Sequence, residues 1–229
     1  MTERHNPSIA ILASGSGSTA EAFIHATQDG RTRAEVGLVV CSKSPEDAAI
    51  YGRIDRLNSQ YGLDIEAVEI SCQTHPNGKV GRGQTLSEST AICERVGEGK
   101  FAHVALMGYM RIINGDLLNE YGYLPEFSSI YQARMSNTHP GPLPETEDTY
   151  GSFASERVLE LGLDESQHTF HLVARGIDLG PKLAEHPVEV KPGDTAQDLF
   201  DRVQIVEKSA LPYALDRFLK EQREYIGNS

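Results

Sequence analysis

Short apolar runs alternate with stretches of helical spacing along most of the chain, and this alternation constrains the fold more than any other feature. The runs lie at Ser8–Ala13, Glu35–Val40, Ile65–Ile70, His103–Gly108 and Arg134–His139. Helical spacing follows the first two runs, at Ala20–Ala26 and Pro45–Leu57. Because parallel strands need helical connections, the pattern predicts an α/β fold. We expect a Rossmann-like, doubly wound and mostly parallel sheet with helices on both faces.

The C-terminal region predicts two more strands and a long C-terminal helix. The strand candidates are Thr169–Val173 and Pro187–Lys191. Thr195 followed by Asp198 is typical of a helix start. An apolar stripe with helical spacing continues at Leu199, Val203, Val206 and Ala210. Pro212 has no backbone N–H, so we expect it to kink or interrupt this helix.

Two polar segments predict loops rather than domain linkers. They are Ser71–Gln84, rich in Gly and Asn, and Pro140–Gly151, which contains several prolines and acidic residues. Each is short and joins elements of the same alternating pattern. We therefore expect a single domain over residues 1–229.

The charge balance argues against several classes of partner. The 229 residues include 21 Lys and Arg against 33 Asp and Glu, which gives a formal net charge of −12. Nucleic acids and anionic membranes need concentrated positive charge, so we expect neither as a partner. A homodimer is compatible with this charge balance. An anionic small molecule is also compatible, because a local pocket can oppose the overall charge.

Cysteine usage and the N-terminal region predict a cytoplasmic protein. Cys41, Cys72 and Cys93 are widely spaced and form no CxxC pair, which predicts reduced thiols and no zinc site. The first apolar run is too short for a secretion signal or a membrane span.

A glycine-rich turn follows the first predicted strand and leads into a helix. Its sequence from Ser14 to Ala20 is SGSGSTA, and such a turn lets a phosphate approach the free N–H groups of the helix start. The glycine spacing also matches a dinucleotide-binding turn. That interpretation expects an acidic residue after the second strand, where Val39–Ser42 has none. A monophosphate is therefore favoured over NAD, and a turn without a ligand is the remaining alternative.

Asn137 and His139 share one face of a predicted strand end, because side chains two residues apart project together. Pro140 holds His139 extended and ends the regular pairing. An amide donor beside a titratable imidazole suits chemistry that forms an oxyanion and moves protons. The alternative is a strand-end histidine with a purely structural role.

A second group of polar residues follows further along the chain. His171 lies in a predicted strand, and Asp178 lies in the glycine-flanked loop after it. We expect the Asp178 carboxylate to meet His139 and to raise the pKa of its imidazole. The alternative for Asp178 is a turn former. His168, at the start of the strand, is expected to be exposed.

Taken in order, these motifs resemble the phosphoribosylglycinamide formyltransferase (GAR transformylase) family over nearly the whole chain. The motifs that carry the resemblance are the SGSGS turn, Gly108–Ile113, Ser136–Pro140 with its Pro-Leu-Pro tail, His171 with Asp178–Pro181, Gly193–Thr195, and Arg202–Gln204 with Glu207. The resemblance implies an enzyme of purine biosynthesis. It would transfer a formyl group from 10-formyltetrahydrofolate to the amine of glycinamide ribonucleotide, with no metal.

The resemblance also implies roles for individual residues. Asn137 and protonated His139 would stabilise the oxyanion of a tetrahedral intermediate, and Asp178 would orient His139 and help to move the amine proton. His171 would support this arrangement from behind. The implied substrate-binding residues are Gly17, Ser18, Thr19 and Glu207, which would hold the ribonucleotide phosphate and the ribose hydroxyls. The implied folate-binding residues are Met110, Arg111, Ile112 and Ile113, with Arg111 suited to the anionic folate tail. Without the resemblance, this segment is interpreted as a buried strand end whose arginine extends to solvent.

Two features depart from the family pattern on the acceptor side. Thr19 stands where the family usually has Asn. The segment Glu145–Phe153 is longer and more acidic than its counterpart, lacks the histidine found there, and has Phe153 at the equivalent position. The alternatives that these departures leave open are an amino-sugar N-formyltransferase, a formyltetrahydrofolate hydrolase, and a dinucleotide-binding oxidoreductase or phosphate-binding module.

Overall fold

A computed structural model describes residues 6–77 and 81–227, so residues 78–80 of the predicted loop Ser71–Gln84 lie outside the described residues. The described chain contains one seven-stranded sheet in the order β3-β2-β1-β4-β5-β6-β7. Its strands are β1 (Ser8–Ala13), β2 (Glu35–Cys41), β3 (Glu66–Glu69), β4 (His103–Leu106), β5 (Met135–His139), β6 (Glu165–Leu172) and β7 (Lys182–Glu189). Strands β1 to β5 are parallel, whereas β6 and β7 are antiparallel to their neighbours. The predicted mostly parallel sheet is confirmed.

Helices cover both faces of this sheet, as predicted. They are α1 (Ser18–Gln28), α2 (Ile50–Tyr61), α3 (Leu86–Glu98), α4 (Gly115–Tyr121), α5 (Ser152–Glu160) and α6 (Ala196–Gly227). Ile9 and Ile11 of β1 belong to a core that includes residues of α1, α2 and α6. Ala10 and Leu12 point to the other face and join a core with α3 and α4. The period-two alternation of one buried strand therefore supplies both layers.

The C-terminal half differs from the sequence prediction at two prolines. Of the kink or interruption expected at Pro212, the interruption is wrong, because helix α6 continues through this residue. Pro187 lies inside β7 instead of starting it, since the strand begins at Lys182. Strand β7 is at the edge of the sheet, where a residue without an N–H is tolerated.

Reciprocal side-chain caps fix the starts of two helices. Before α6, the Thr195 hydroxyl accepts from the Asp198 N–H at 3.2 Å, and the Asp198 carboxylate accepts from the Thr195 N–H at 3.0 Å. This confirms the predicted start. Helix α3 was not predicted, although Thr85 and Glu88 form the same kind of capping box.

Strand β6 and the loop after it carry His171 and Asp178. The register pairs Asn137 with His171 and His139 with Thr169. Strand β6 therefore ends beside the start of β5, and the loop after it folds back so that Asp178 lies 3.5 Å from His139. This contact is at the carboxyl end of β5, the side of the sheet where open α/β folds bind ligands. None of the helices in the described part of the chain combines the length and the apolar character that crossing a membrane requires.

Candidate functional site

A cavity of about 280 Å³ opens at the carboxyl ends of the parallel strands. It is lined by residues from all the predicted parts of the site. The predicted residues among them are Thr19, Met110, Arg111, Ile112, Ile113, Asn137, His139, His171, Asp178 and Glu207. Gly17 and Ser18 do not line the cavity but precede Thr19 in the same turn. Segments far apart in the chain therefore meet at one place, as expected for a substrate site.

Asp178 is the centre of the polar group at the end of β5. Its Oδ2 lies 3.5 Å from Nδ1 of His139, and its Oδ1 lies 3.6 Å from Nε2 of His171. The Asn137 side-chain amide donates to Asp178 Oδ1 at 3.4 Å and contacts His171 Nε2 at 3.1 Å. The structure thus brings together the three residues assigned to catalysis and the supporting histidine.

The tautomer of His171 follows from its contacts. Its Nδ1 lies 2.8 Å from the carbonyl oxygen of Leu172, which can only accept, so Nδ1 carries the hydrogen. In the neutral ring Nε2 is then an acceptor for the amide of Asn137. His171 therefore orients Asn137 by hydrogen bonding.

The loop that carries Asp178 is fixed by its backbone. Asp178 has φ 54° and Gly176 has φ 105°, values in the left-handed region that ordinary side chains avoid. Gly180 packs so closely that an added Cβ would lie 1.7 Å from the carbonyl oxygen of Leu172. Asp tolerates a left-handed conformation better than most residues. Asp178 is therefore a turn former, the alternative role that the sequence allowed, and the same turn directs its carboxylate toward His139.

The charge states of His139 and Asp178 are set mainly by burial. Burial lowers the pKa of His139 to about 4, although the Asp178 carboxylate acts in the opposite direction. The expectation of a raised pKa is wrong, because desolvation of this 3 % exposed imidazole outweighs its partner. Burial raises the pKa of Asp178, but its contacts with His171 and His139 lower it, and the net direction is below its ordinary value. At neutral pH a neutral imidazole therefore faces a carboxylate.

His168 is buried, which contradicts the expectation of exposure. Its side chain lies between Thr138 of β5 and His186 of β7. Its Nε2 lies 2.6 Å from the Thr138 hydroxyl, and its Nδ1 lies 3.3 Å from Nδ1 of His186, whose ring stacks on it. Burial lowers the pKa of His168 to about 3, so the ring is neutral.

The glycine-rich turn and helix α6 form the second part of the cavity. Gly17 has φ 70° at the start of α1, and an added Cβ would lie 2.5 Å from Cγ1 of Ile50. The Thr19 hydroxyl donates to Glu207 Oε1 at 3.1 Å. Burial raises the pKa of Glu207, whereas hydrogen bonds from Thr19 and Thr138 lower it. Sequence reasoning placed Thr19 and Glu207 in the same site but missed Thr138, which the strand alternation points away from Asn137 and His139.

The segment Met110–Ile113 forms the third part. The Met110 N–H donates to the Ser14 hydroxyl at 2.8 Å. Arg111 forms an ion pair with the fully buried carboxylate of Glu88 at 2.9 Å, so its charge is already balanced within the protein. Sequence reasoning missed Glu88, although the capping box of α3 was a detectable signal.

Comparisons with known proteins agree with these observations. A protein-family model described as formyl transferase matches residues 8–215. The phosphoribosylglycinamide formyltransferase of Bacillus subtilis is 26% identical over 210 residues, which are 92% of this chain and 93% of that protein. The human trifunctional purine biosynthetic protein adenosine-3 is 30% identical over 213 residues, 93% of this chain. The chain spans 18% of the length of that larger relative.

Solved structures give the same result. Glycinamide ribonucleotide transformylase 1 from Symbiobacterium toebii superposes with a TM-score of 0.79 and 27% identity, covering 96% of this chain and 90% of that one. The corresponding protein from Geobacillus kaustophilus has a TM-score of 0.76 and 28% identity, covering 94% of this chain and 100% of that one. In the described residues, no group of His, Cys, Asp and Glu side chains is arranged to hold a metal ion.

Proposed function

The chain belongs to the formyl transferase family, and from that premise we propose that it transfers a formyl group from 10-formyltetrahydrofolate to the amine of glycinamide ribonucleotide in purine biosynthesis. The observation that carries this proposal is the single cavity shared by the Asn137, His139 and Asp178 group and the Thr19–Glu207 contact. The first group suits formyl transfer, and the second suits an acceptor with a phosphate and free hydroxyls.

The polar group at the end of β5 performs the transfer. Asn137 donates a hydrogen bond to the formyl oxygen, and this bond strengthens as the oxygen becomes an oxyanion in the tetrahedral intermediate. His139 accepts the proton that the attacking amine releases, and it returns the proton to the leaving nitrogen of the folate. The charge of Asp178 stabilises the imidazolium in between. No net proton is gained or lost.

The turn before α1 and the carboxylate of Glu207 in α6 bind the acceptor. The N-terminal end of α1, at Gly17, Ser18 and Thr19, has a positive dipole end and N–H groups without helical partners, which suits a phosphate group. Glu207 is only 7% exposed and accepts hydroxyl hydrogen bonds from within the protein, so its remaining lone pairs suit the ribose hydroxyls. This arrangement binds an anion without a basic surface.

The segment Met110–Ile113 binds the folate. Its four residues line the same cavity, where their backbone groups and apolar side chains suit a pteridine ring. Because Arg111 is paired with Glu88, its contribution is to hold this segment in place, in addition to any attraction for the anionic tail. Metal is not required by these steps.

The acidic loop Glu145–Phe153, which differs from its counterpart in the family, is compatible with this acceptor. Glu145, Glu147 and Asp148 are exposed and do not line the cavity, and Asp148 forms an ion pair with Arg82. The loop residues that line it are Thr149, Tyr150 and Gly151. These three carboxylates therefore lie outside the lining of the cavity in which we place the acceptor. We propose a single cytoplasmic domain whose ligands are the phosphorylated amine and the folate.

The proposal is tested by a formyl-transfer assay with the purified chain. The donor is 10-formyltetrahydrofolate, and the acceptors are glycinamide ribonucleotide and, in parallel, a nucleotide-linked amino sugar. We expect formylation of glycinamide ribonucleotide and a higher KM for it in Glu207→Gln. Formylation of the amino sugar alone would reject the acceptor, and hydrolysis of the donor without an acceptor would indicate a hydrolase.

A further inference from the structure

Thr146 lies in the acidic loop between β5 and α5, yet its side chain is completely buried against His139. Its hydroxyl oxygen is 2.9 Å from Nε2 of His139 and 2.7 Å from the carbonyl oxygen of Pro142. An added Cβ on Gly141 would lie 2.4 Å from this oxygen, so the position is closely packed. The neighbours of Thr146 in the loop, Glu145 and Glu147, are exposed. Thr146 is thus an inward-facing residue of this longer loop, and it contacts the proposed catalytic histidine.

The positions of the hydrogen atoms follow from the two contacts of Thr146. A hydroxyl has one hydrogen to donate, and a carbonyl oxygen can only accept. The hydroxyl hydrogen therefore goes to Pro142, and the lone pairs of Thr146 face His139. Since two acceptors at 2.9 Å would repel each other, Nε2 of His139 must carry a hydrogen. The opposite arrangement would leave two acceptor oxygens 2.7 Å apart.

The hydrogen on Nε2 determines that the other ring nitrogen of His139, Nδ1, carries none. The neutral imidazole carries a single N–H, and Nε2 already holds it. Nδ1 is then unprotonated and lies 3.5 Å from Asp178, outside the usual range of a hydrogen bond. When a proton arrives at Nδ1, both N–H groups of the imidazolium point at acceptors, one at Thr146 and one at Asp178.

We propose that Thr146 is a positioning residue that holds the resting His139 in its Nε2–H tautomer, so that Nδ1, beside Asp178, is the atom that takes up the proton during transfer. The role in transfer rests on the proposed function, but the tautomer does not. Thr146 touches the histidine and the loop backbone, and it acts through His139. The neutral resting state agrees with the lowered pKa of His139.

Nitrogen NMR of the histidine rings tests the tautomer directly. A protonated and an unprotonated ring nitrogen resonate at different positions, and the signals of His139 are those missing from His139→Gln. We expect Nε2–H and an unprotonated Nδ1 in the wild type and in Thr146→Ser, which keeps the hydroxyl. A wild-type spectrum with the hydrogen on Nδ1 would overturn the proposal, whether or not the chain transfers formyl groups.

Steady-state kinetics test the consequence of the tautomer. Thr146→Val keeps the shape but removes the hydroxyl, and loss of one hydrogen bond predicts a fall in kcat of roughly tenfold, with both KM values nearly unchanged. Thr146→Ser should restore most of kcat. A valine variant with wild-type kcat contradicts the role, and if that variant does not fold, the serine variant and the wild-type spectrum still decide. If the wild type has the Nε2–H tautomer but formylates nothing, the proposed function fails while the tautomer assignment stands.

Discussion

Replacing Asp178 with Asn separates the charge of this residue from its shape. Asp178 has φ 54°, and Asn adopts this left-handed conformation as readily as Asp does, so the loop backbone should be preserved. The amide oxygen can still accept the hydrogen bond that Asn137 donates at 3.4 Å. What the substitution removes is the negative charge beside the imidazole.

The structure gives the size of the expected effect. A unit charge 3.5 Å from Nδ1 of His139 interacts with a proton there by about 5 kcal/mol at an effective dielectric constant of about 20. The dipole of the amide and nearby water retain part of this, so we take about half, roughly 2.5 kcal/mol, as lost from the transition state. That loss corresponds to a fall in kcat of about 70-fold.

The assay is steady-state formyl transfer, with kcat and the KM of each substrate measured separately. We expect Asp178→Asn to lower kcat as calculated and to leave the KM of the folate nearly unchanged. Asp29→Asn is a control for a general effect of charge, because Asp29 is exposed, pairs with Arg31 at 3.3 Å and lies outside the cavity lining. Wild-type kcat in Asp178→Asn would remove this carboxylate from the mechanism. An equal loss in both variants would indicate a general effect of charge.

Three further predictions concern the acceptor side and the response to pH. Thr138→Val removes one of the hydroxyl groups that donate to the carboxylate of Glu207, so the KM of the acceptor should rise roughly fivefold while the KM of the folate stays unchanged. Thr138→Ser keeps the hydroxyl and should not show this rise. Gly17→Ala places a methyl group against α2 at a positive φ, so it should weaken acceptor binding and lower the unfolding free energy, whereas Gly15→Ala, with open space around it, should do neither. The histidines whose pKa burial lowers strongly are His103, His139 and His168. Each stays neutral in the folded protein but is protonated in the unfolded chain below about pH 6.5, so each contributes stability that is lost as pH falls from there toward 4, by up to about 1.4 kcal/mol per pH unit. Burial raises the pKa of Glu207, which offsets part of this loss. Equal free energies of urea unfolding at pH 7 and pH 5 would contradict the prediction.

The sheet was predictable because its signals are local. Short apolar runs such as Ser8–Ala13 mark buried parallel strands, and the capping residues Thr195 and Asp198 mark the start of α6. The strand alternation also placed Asn137 and His139 on one face. Pro212 does not interrupt α6, because tertiary packing along the helix overrides the preference of one residue.

The parts of the site that sequence reasoning missed depend on contacts between distant segments. Nothing near His168 in the sequence indicates that Thr138 and His186 will bury it. The net effect on the pKa of His139 required its burial as well as its partner, and burial is a property of the whole fold. Thr146 looked like part of an exposed acidic loop, and its inward direction is set by the packing of that loop against Gly141.

The tight packing of the Asp178 loop determines which positions can change over evolutionary time. Leu179 is 58% exposed, so its side chain can vary with little effect on the fold. Gly180 cannot gain even a methyl group, because that group would overlap the carbonyl oxygen of Leu172. A systematic mutational scan should therefore find Gly180 as intolerant of substitution as Asp178, although a glycine has no side chain to offer a substrate. Intolerance along this loop reports the fixed path of the backbone as much as the chemistry it supports.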